Sequence, residues 1–346
     1  MNLIYFFILI IITIGALWLL YFYLKPSRKK NTDSTYMDAL NAMLMADKRK
    51  AINLLSSIVK RDSEHINAYL QLGNLLRDED PDRAAKIHQM LTVRQNLSND
   101  LKIEILKSLS LDYEKIGDLA KAKIEAEKIL LIDKSNYWAC SFLLSVAEKT
   151  EDWDTAEIKA NDLKKIKGFN QDINTSIYKM NKGINYLKNK NVKEAEIFFK
   201  KAIDVDPNFG KPYKYLGDVR HLNRDLVNAI ENWEKYMELS PEDSHKVFDS
   251  IETALFDLGR YSEVENFYRK VLESNPNDIN AGQRLANVLN EKGENKAAIA
   301  LIDQFIDQSD SSISLMLMKL KLSLFTQTPA ELSYFLDEIL NKINNE

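Results

Sequence analysis

"GINYLKNKNVKEAEIFFKKAIDVDPN", residues 183–208, lies in register over "GDVRHLNRDLVNAIENWEKYMELSPE", residues 217–242. Gly183 and Gly217 are 34 residues apart, and so are Ala195 and Ala229, Phe199 and Trp233, and Pro207 and Pro241. Each segment reads as two amphipathic helices, with apolar residues at helical spacing on either side of a polar turn. A fixed period of this length marks a unit that cannot bury its own apolar face and stacks on copies of itself.

The phase runs in both directions. Ala51, Ala84, Ala122, Ala156, Ala195, Ala229, Val264 and Ala298 hold the same small position, at spacings of 33, 38, 34, 39, 34, 35 and 34. The two long spacings coincide with the polar inserts "TVRQNLSND" (92–100) and "KIKGFNQDIN" (165–174). Gly117, Gly259 and Gly293 fall at the turn inside their repeats, and Gly210 reads as part of a turn between repeats. Residues 312–344 give a degenerate closing pair, with Pro329 in a first helical turn. Small, small, aromatic and proline at these offsets resemble the tetratricopeptide repeat. The expected fold is therefore all-α: a superhelical solenoid of about eight repeats and a closing pair over residues 36–346.

"NAYLQLGNLLRDEDPDRAAKIHQML" (67–91) carries Gly73 inside an apolar helical run. A mid-helix glycine costs about 1 kcal/mol relative to alanine. Gly73 is equivalent to Gly183 and Gly217, and it is expected to face Ala84 so that the two helix axes approach closely. The first helices are expected to line a groove. Their exposed positions there are Leu70, Asn74 and Arg77; Lys107 and Leu111; Trp138 and Ser141; Ile177 and Met180; and Lys211, Lys214 and His221. Within this set Asn74 and Arg77 form a candidate site for a partner's backbone or carboxylate, because a guanidinium fork donates two parallel hydrogen bonds. His88, on the second helix, is expected to make a structural contact between repeats.

The first residues break the pattern. Leu3–Leu24 contain no charge, and a helix of that length spans roughly 30 Å, a bilayer core. Trp18, Tyr21 and Tyr23 sit where an interfacial belt forms, and Lys25, Arg28, Lys29 and Lys30 follow. The run is too long for a signal peptide and lacks a basic n-region. Residues 1–24 are thus expected to be a transmembrane anchor and 25–35 a basic juxtamembrane linker. With the basic flank after the span, the repeats are expected to face the cytoplasm.

Composition excludes other classes. The net charge of −4 gives no basic field for nucleic acid, and Gly and Pro are scarce at 10 and 7 residues. The single cysteine, Cys140, allows no internal disulfide and no thiolate metal cage. No phosphate-binding glycine loop, HExxH or CxxC occurs, and His65, His88, His221 and His245 lie in different repeats. "DEDPD" (78–82) lacks the glycine and terminal glutamate of a calcium loop and reads as a capped turn. No nucleophile, base and stabiliser converge, so no enzyme and no cofactor are expected.

One stretch is more specific. Leu72, Gly73, Asn74, Leu75, Arg77, Asp82, Arg83, Ala84, Ile87, His88 and Gln89 resemble the second repeat of the lipopolysaccharide assembly protein B family. The layout of anchor, basic segment and about nine repeats is similar too. The resemblance implies a single-pass adaptor on the cytoplasmic side of the bacterial inner membrane. Its partners would be a membrane-bound AAA+ protease, the lipid A pathway deacetylase that the protease degrades, and lipopolysaccharide assembly proteins. Family members also carry a C-terminal rubredoxin-like zinc domain with two CxxC pairs, which the residues up to Glu346 do not contain. No iron or zinc is implied for this chain. The alternative reading of the same features is a generic membrane-tethered scaffold for an envelope or secretion complex.

Overall fold

A computed structural model describes residues 13–20, 28–166, 173–308, 313–324 and 326–345. The chain forms two compact units, Met1–Ile173 and Asn174–Glu346. Among the described residues the regular structure is entirely helical.

The first unit stacks four antiparallel pairs: α1 (Arg28–Leu44) with α2 (Lys48–Arg61), α3 (Ile66–Leu76) with α4 (Pro81–Thr92), α5 (Asn99–Ile116) with α6 (Leu119–Ile132), and α7 (Tyr137–Lys149) with α8 (Trp153–Lys165). The second unit stacks five: α9 (Ser176–Lys188) with α10 (Val192–Val205), α11 (Gly210–Leu222) with α12 (Leu226–Leu239), α13 (Phe248–Asp257) with α14 (Tyr261–Ser274), α15 (Ile279–Glu291) with α16 (Asn295–Gln308), and α17 (Ile313–Ser323) with α18 (Pro329–Asn345). A 3₁₀ turn, Pro241–Val247, leads into α13. Within each unit the helices pack chiefly on their neighbours in sequence, as expected of a solenoid.

Local chemistry sets the elements. Second helices start at acidic or amide caps: Asp47, Asp80, Asp118, Asp152 and Asn191 each accept a first-turn backbone N–H. The turn before most of them holds one residue at positive φ. Gly117, Gly259 and Gly293 adopt it at 90°, 70° and 83°. Ala46, Glu151, Lys190 and Arg224 adopt it without being glycine. In the second repeat that residue is missing, and Asp80 caps α4 directly at φ −145°.

All eight small positions are buried on the second helices. The glycine partner differs from expectation. A β-carbon on Gly73 would lie 2.5 Å from the His88 ring, on Gly183 2.6 Å from Phe199, and on Gly217 2.5 Å from Trp233. The glycine is therefore a notch for a ring one helical turn beyond the small residue, and Gly73 faces His88 rather than Ala84. Gly210 also departs from the turn assignment. It is the first residue of α11, buried, and its β-carbon would meet Ser240 Oγ at 2.6 Å.

At the N-terminus, Thr13–Leu20 are helical and exposed. The rest of Leu3–Leu24, including Tyr21 and Tyr23, lies outside the described residues, as does Lys25. Among the described residues no helix is long and apolar enough to cross a membrane. The backbone of Arg28, Lys29 and Lys30 belongs to α1, so residues 28–35 of the expected linker are helical.

The notch makes a direct prediction. Gly217→Ala drives a methyl into Trp233, and overpacking of this kind costs about 1–3 kcal/mol. In equilibrium urea unfolding, Gly217→Ala combined with Trp233→Leu is expected to lose less stability than the sum of the two single losses. Additive losses would show that the two residues do not share the notch.

Candidate functional site

The second repeat places a histidine in the notch, and a buried ring with two polar nitrogens needs partners. His88 Nε2 lies 3.1 Å from the Leu70 carbonyl. His88 Nδ1 contacts Asp112 Oδ2 on α5 of the next repeat. The other carboxylate oxygen, Oδ1, accepts from Arg77 Nε at 2.7 Å. Arg77 Nη2 donates to Asn74 Oδ1 at 2.6 Å and to the Ser108 carbonyl at 3.2 Å. His88 and Asp112 are 0% exposed, and the Arg77 side chain is 19% exposed. Two cation-capable groups thus converge on one carboxylate at the seam between repeats 2 and 3.

This corrects the reading of Arg77. Its Nε and both Nη2 hydrogens are engaged, so the guanidinium keeps no parallel pair of N–H groups for a partner's carboxylate. Nor does Arg77 pair with the acidic turn. Lys115 reaches Asp78 at 3.2 Å and Lys48 reaches Glu79 at 3.0 Å instead. The motif around Gly73, Asn74, Arg77 and His88 is a packing device whose fifth member, Asp112, the sequence reading did not single out. Its signal was a carboxylate on the apolar stripe of α5, in line with Ile105 and Leu109 at helical spacing.

Polar rings in the second unit follow the same rule. Trp233 Nε1 donates to Asp218 Oδ1 at 2.9 Å, and Lys214 Nζ holds the other oxygen at 2.9 Å. Tyr268 Oη donates to Glu252 Oε1 at 2.5 Å, and Arg284 of the following repeat reaches Oε2 at 3.2 Å. Burial pushes the Tyr268 hydroxyl far above the usual phenol range, so it stays protonated and keeps its proton to donate to Glu252.

The expected groove residues separate by burial. Leu70 and Met180 are core residues, 3% and 6% exposed, so their side chains do not line a groove. Both point into the contact between helices because the apolar stripe of their helix extends to them. In the first unit Asn74, Lys107, Leu111, Trp138 and Ser141 are half-buried. Trp138 stacks on Phe142 with ring centroids 4.9 Å apart, and Lys107 Nζ lies 5.3 Å above the Trp138 ring. In the second unit Ile177 and Lys211 are exposed, while Lys214 and His221 are half-buried. His221 packs on Trp233, ring centroids 5.7 Å apart. Cys140 is buried, and burial pushes its thiol up, which leaves it a packing residue. Among the described residues no cluster of His, Cys, Asp or Glu could hold a metal ion.

Two stretches of these helical pairs match the tetratricopeptide repeat: its model covers residues 178–209 and 253–278. The chain is similar to lipopolysaccharide assembly protein B over most of its length. It is 23% identical to the Escherichia coli K12 protein over 277 residues, covering 79% of this chain and 70% of that one. It is 25% identical to the Haemophilus influenzae protein over 307 residues, covering 84% and 76%. A solved structure of Naa15/Naa10 bound to HypK-THB aligns with a TM-score of 0.49 and 13% identity, over 90% of this chain and 46% of that one. The repeat match and these relatives fit an adaptor-type scaffold, and the geometry above is that of packing between repeats.

Removing one partner of a buried charge cluster typically costs about 3–5 kcal/mol. Asp112→Ala is expected to destabilise the first unit by about that amount. Arg77→Ala is expected to lower the melting temperature as well. A melting temperature unchanged in both variants would show that the cluster does not hold the seam.

Proposed function

We propose that this protein is an inner-membrane adaptor of lipopolysaccharide synthesis with its repeats in the cytoplasm. In this reading it presents the lipid A pathway deacetylase to a membrane-bound AAA+ protease and so limits lipopolysaccharide output. The observation that carries the proposal is the likeness to lipopolysaccharide assembly protein B across about four-fifths of the chain. The uncharged run Leu3–Leu24, followed by Lys25, Arg28, Lys29 and Lys30, supports a single-pass anchor with the basic flank inside. Trp18, Tyr21 and Tyr23 would then sit at the membrane interface.

A protein that only brings substrate and protease together needs surfaces and no catalytic group. The surfaces proposed are the accessible members of the groove set. They are Asn74, Lys107, Leu111, Trp138 and Ser141 in one unit, and Ile177, Lys211, Lys214 and His221 in the other. Arg77 acts there by fixing Asn74, whose side-chain oxygen it holds.

Depleting the protein is expected to lengthen the deacetylase half-life and raise its level, measured by blocking translation and following the deacetylase by immunoblot. An unchanged half-life would overturn the proteolytic role and leave a tethered scaffold for envelope assembly.

A further inference from the structure

The second unit carries a groove that the groove set above does not use. It runs between the second helices α12 and α14, with α13 as its floor. Two cavities of about 480 and 700 Å³ adjoin through the shared lining residues Glu234, Phe267 and Lys270 and together form the groove. It follows α12 from Val227 to Glu238, about three helical turns or roughly 17 Å. The 3₁₀ turn Pro241–Val247 closes one end, where Pro241 and Ser244 line the wall.

The floor is apolar, built by Ile230, Ile251, Leu255 and Phe267, and Val227 on the rim is 48% exposed. The walls are charged unevenly. Glu231, Glu234 and Glu238 form a row along α12 at i, i+3 and i+7. Lys235 pairs with Glu238 at 2.9 Å. Glu231 and Glu234 are exposed; Glu234 feels the charge of Arg260 across the groove without a close ion pair, and among the described residues Glu231 has no ion pair. On α14 the wall arginines are already neutralised: Arg260 by Glu263 at 2.5 Å and Arg269 by Glu265 at 2.7 Å. Glu273 adds a further acid, and Lys270 is the one wall cation not held by an ion pair among the described residues.

We infer that this groove docks a cationic amphipathic helix of a partner protein. The fit is one of shape and charge. A groove three turns long with an apolar floor accepts a helix's apolar stripe. The exposed Glu231–Glu234 row, with Glu273 opposite, gives the groove an acidic excess that selects lysine or arginine flanking that stripe and rejects an acidic helix. The inference does not depend on the adaptor role. It concerns a surface on the second helices, so it stands or falls separately from the deacetylase experiment.

The test uses the purified full chain and a fluorescein-labelled, helix-forming 14-residue peptide with leucines on one face and lysines beside them. A second peptide carries glutamate in place of lysine. Fluorescence anisotropy is expected to show saturable binding of the lysine peptide and none of the glutamate peptide. The double variant Glu231→Lys/Glu234→Lys is expected to weaken binding at least tenfold, with an unchanged circular dichroism spectrum. Glu127→Lys/Asp204→Lys, which changes net charge equally on exposed residues elsewhere, is expected to leave affinity within twofold. Val227→Gln keeps every groove charge and is expected to weaken binding severalfold through the apolar rim, which serves if the double variant misfolds. Equal binding by wild type and both groove variants, equal loss in the control variant, or equal binding of the two peptides would overturn the assignment.

Discussion

In three repeats the close approach of the two helices depends on one contact: a ring on the second helix seated in a glycine notch on the first. A glycine in mid-helix is unfavourable alone, by about 1 kcal/mol against alanine. It persists at Gly73, Gly183 and Gly217 because a β-carbon there would sit inside van der Waals distance of the ring. Close approach of the two helices then buries the small residue one turn earlier, and the stripe that remains is buried by the next repeat. Each repeat thereby depends on its neighbour for part of its core.

The chemistry of the ring at that second-helix position, with or without a glycine opposite, decides what it requires next. Phe199 is satisfied by apolar contact. Trp233 and Tyr268 each need an acceptor and find a carboxylate on the first helix of their own repeat, Asp218 and Glu252. His88 has two nitrogens to satisfy and recruits Asp112 from the following repeat, which in turn binds Arg77. The Asp112 cluster and the Glu252–Arg284 pair both cross between repeats, so polar rings convert an internal packing contact into a lock on repeat register. Buried ion clusters add little net stability compared with apolar packing, but they penalise any misaligned arrangement that leaves a charge unpaired. The price is local fragility to single substitutions.

Much of this was legible in the sequence, because the period, the small positions and the turn glycines depend on spacing. Gly117, Gly259 and Gly293 mark left-handed turn residues that only their backbone needs explain. Ala46, Glu151, Lys190 and Arg224 take the same conformation with no residue type to announce it. The misread positions were set by side-chain partners. Gly73 faces the ring rather than Ala84 because the crossing geometry brings the following turn closest. Arg77 looked like an open fork until Asp112, 35 residues away in sequence, closed it. Leu70 and Met180 sit on the boundary between the buried stripe and the groove, where a step of one residue changes the face. The Asp112 signal was present, as a carboxylate in an apolar stripe, and a buried charge of that kind always demands a partner.

The central claim is that the His88 cluster is a polar substitute for an ordinary apolar ring in a notch. Amide hydrogen exchange across α4 and α5 tests it most directly, comparing wild type with His88→Phe and with His88→Phe/Asp112→Leu/Arg77→Met. The single change should sharply reduce protection in those two helices, because it leaves the buried Asp112 carboxylate without its histidine partner. The triple change should restore protection to near the wild-type level, since well-packed apolar groups replace a buried ion cluster at little cost. Full protection in the single variant, or none regained in the triple, would contradict the account.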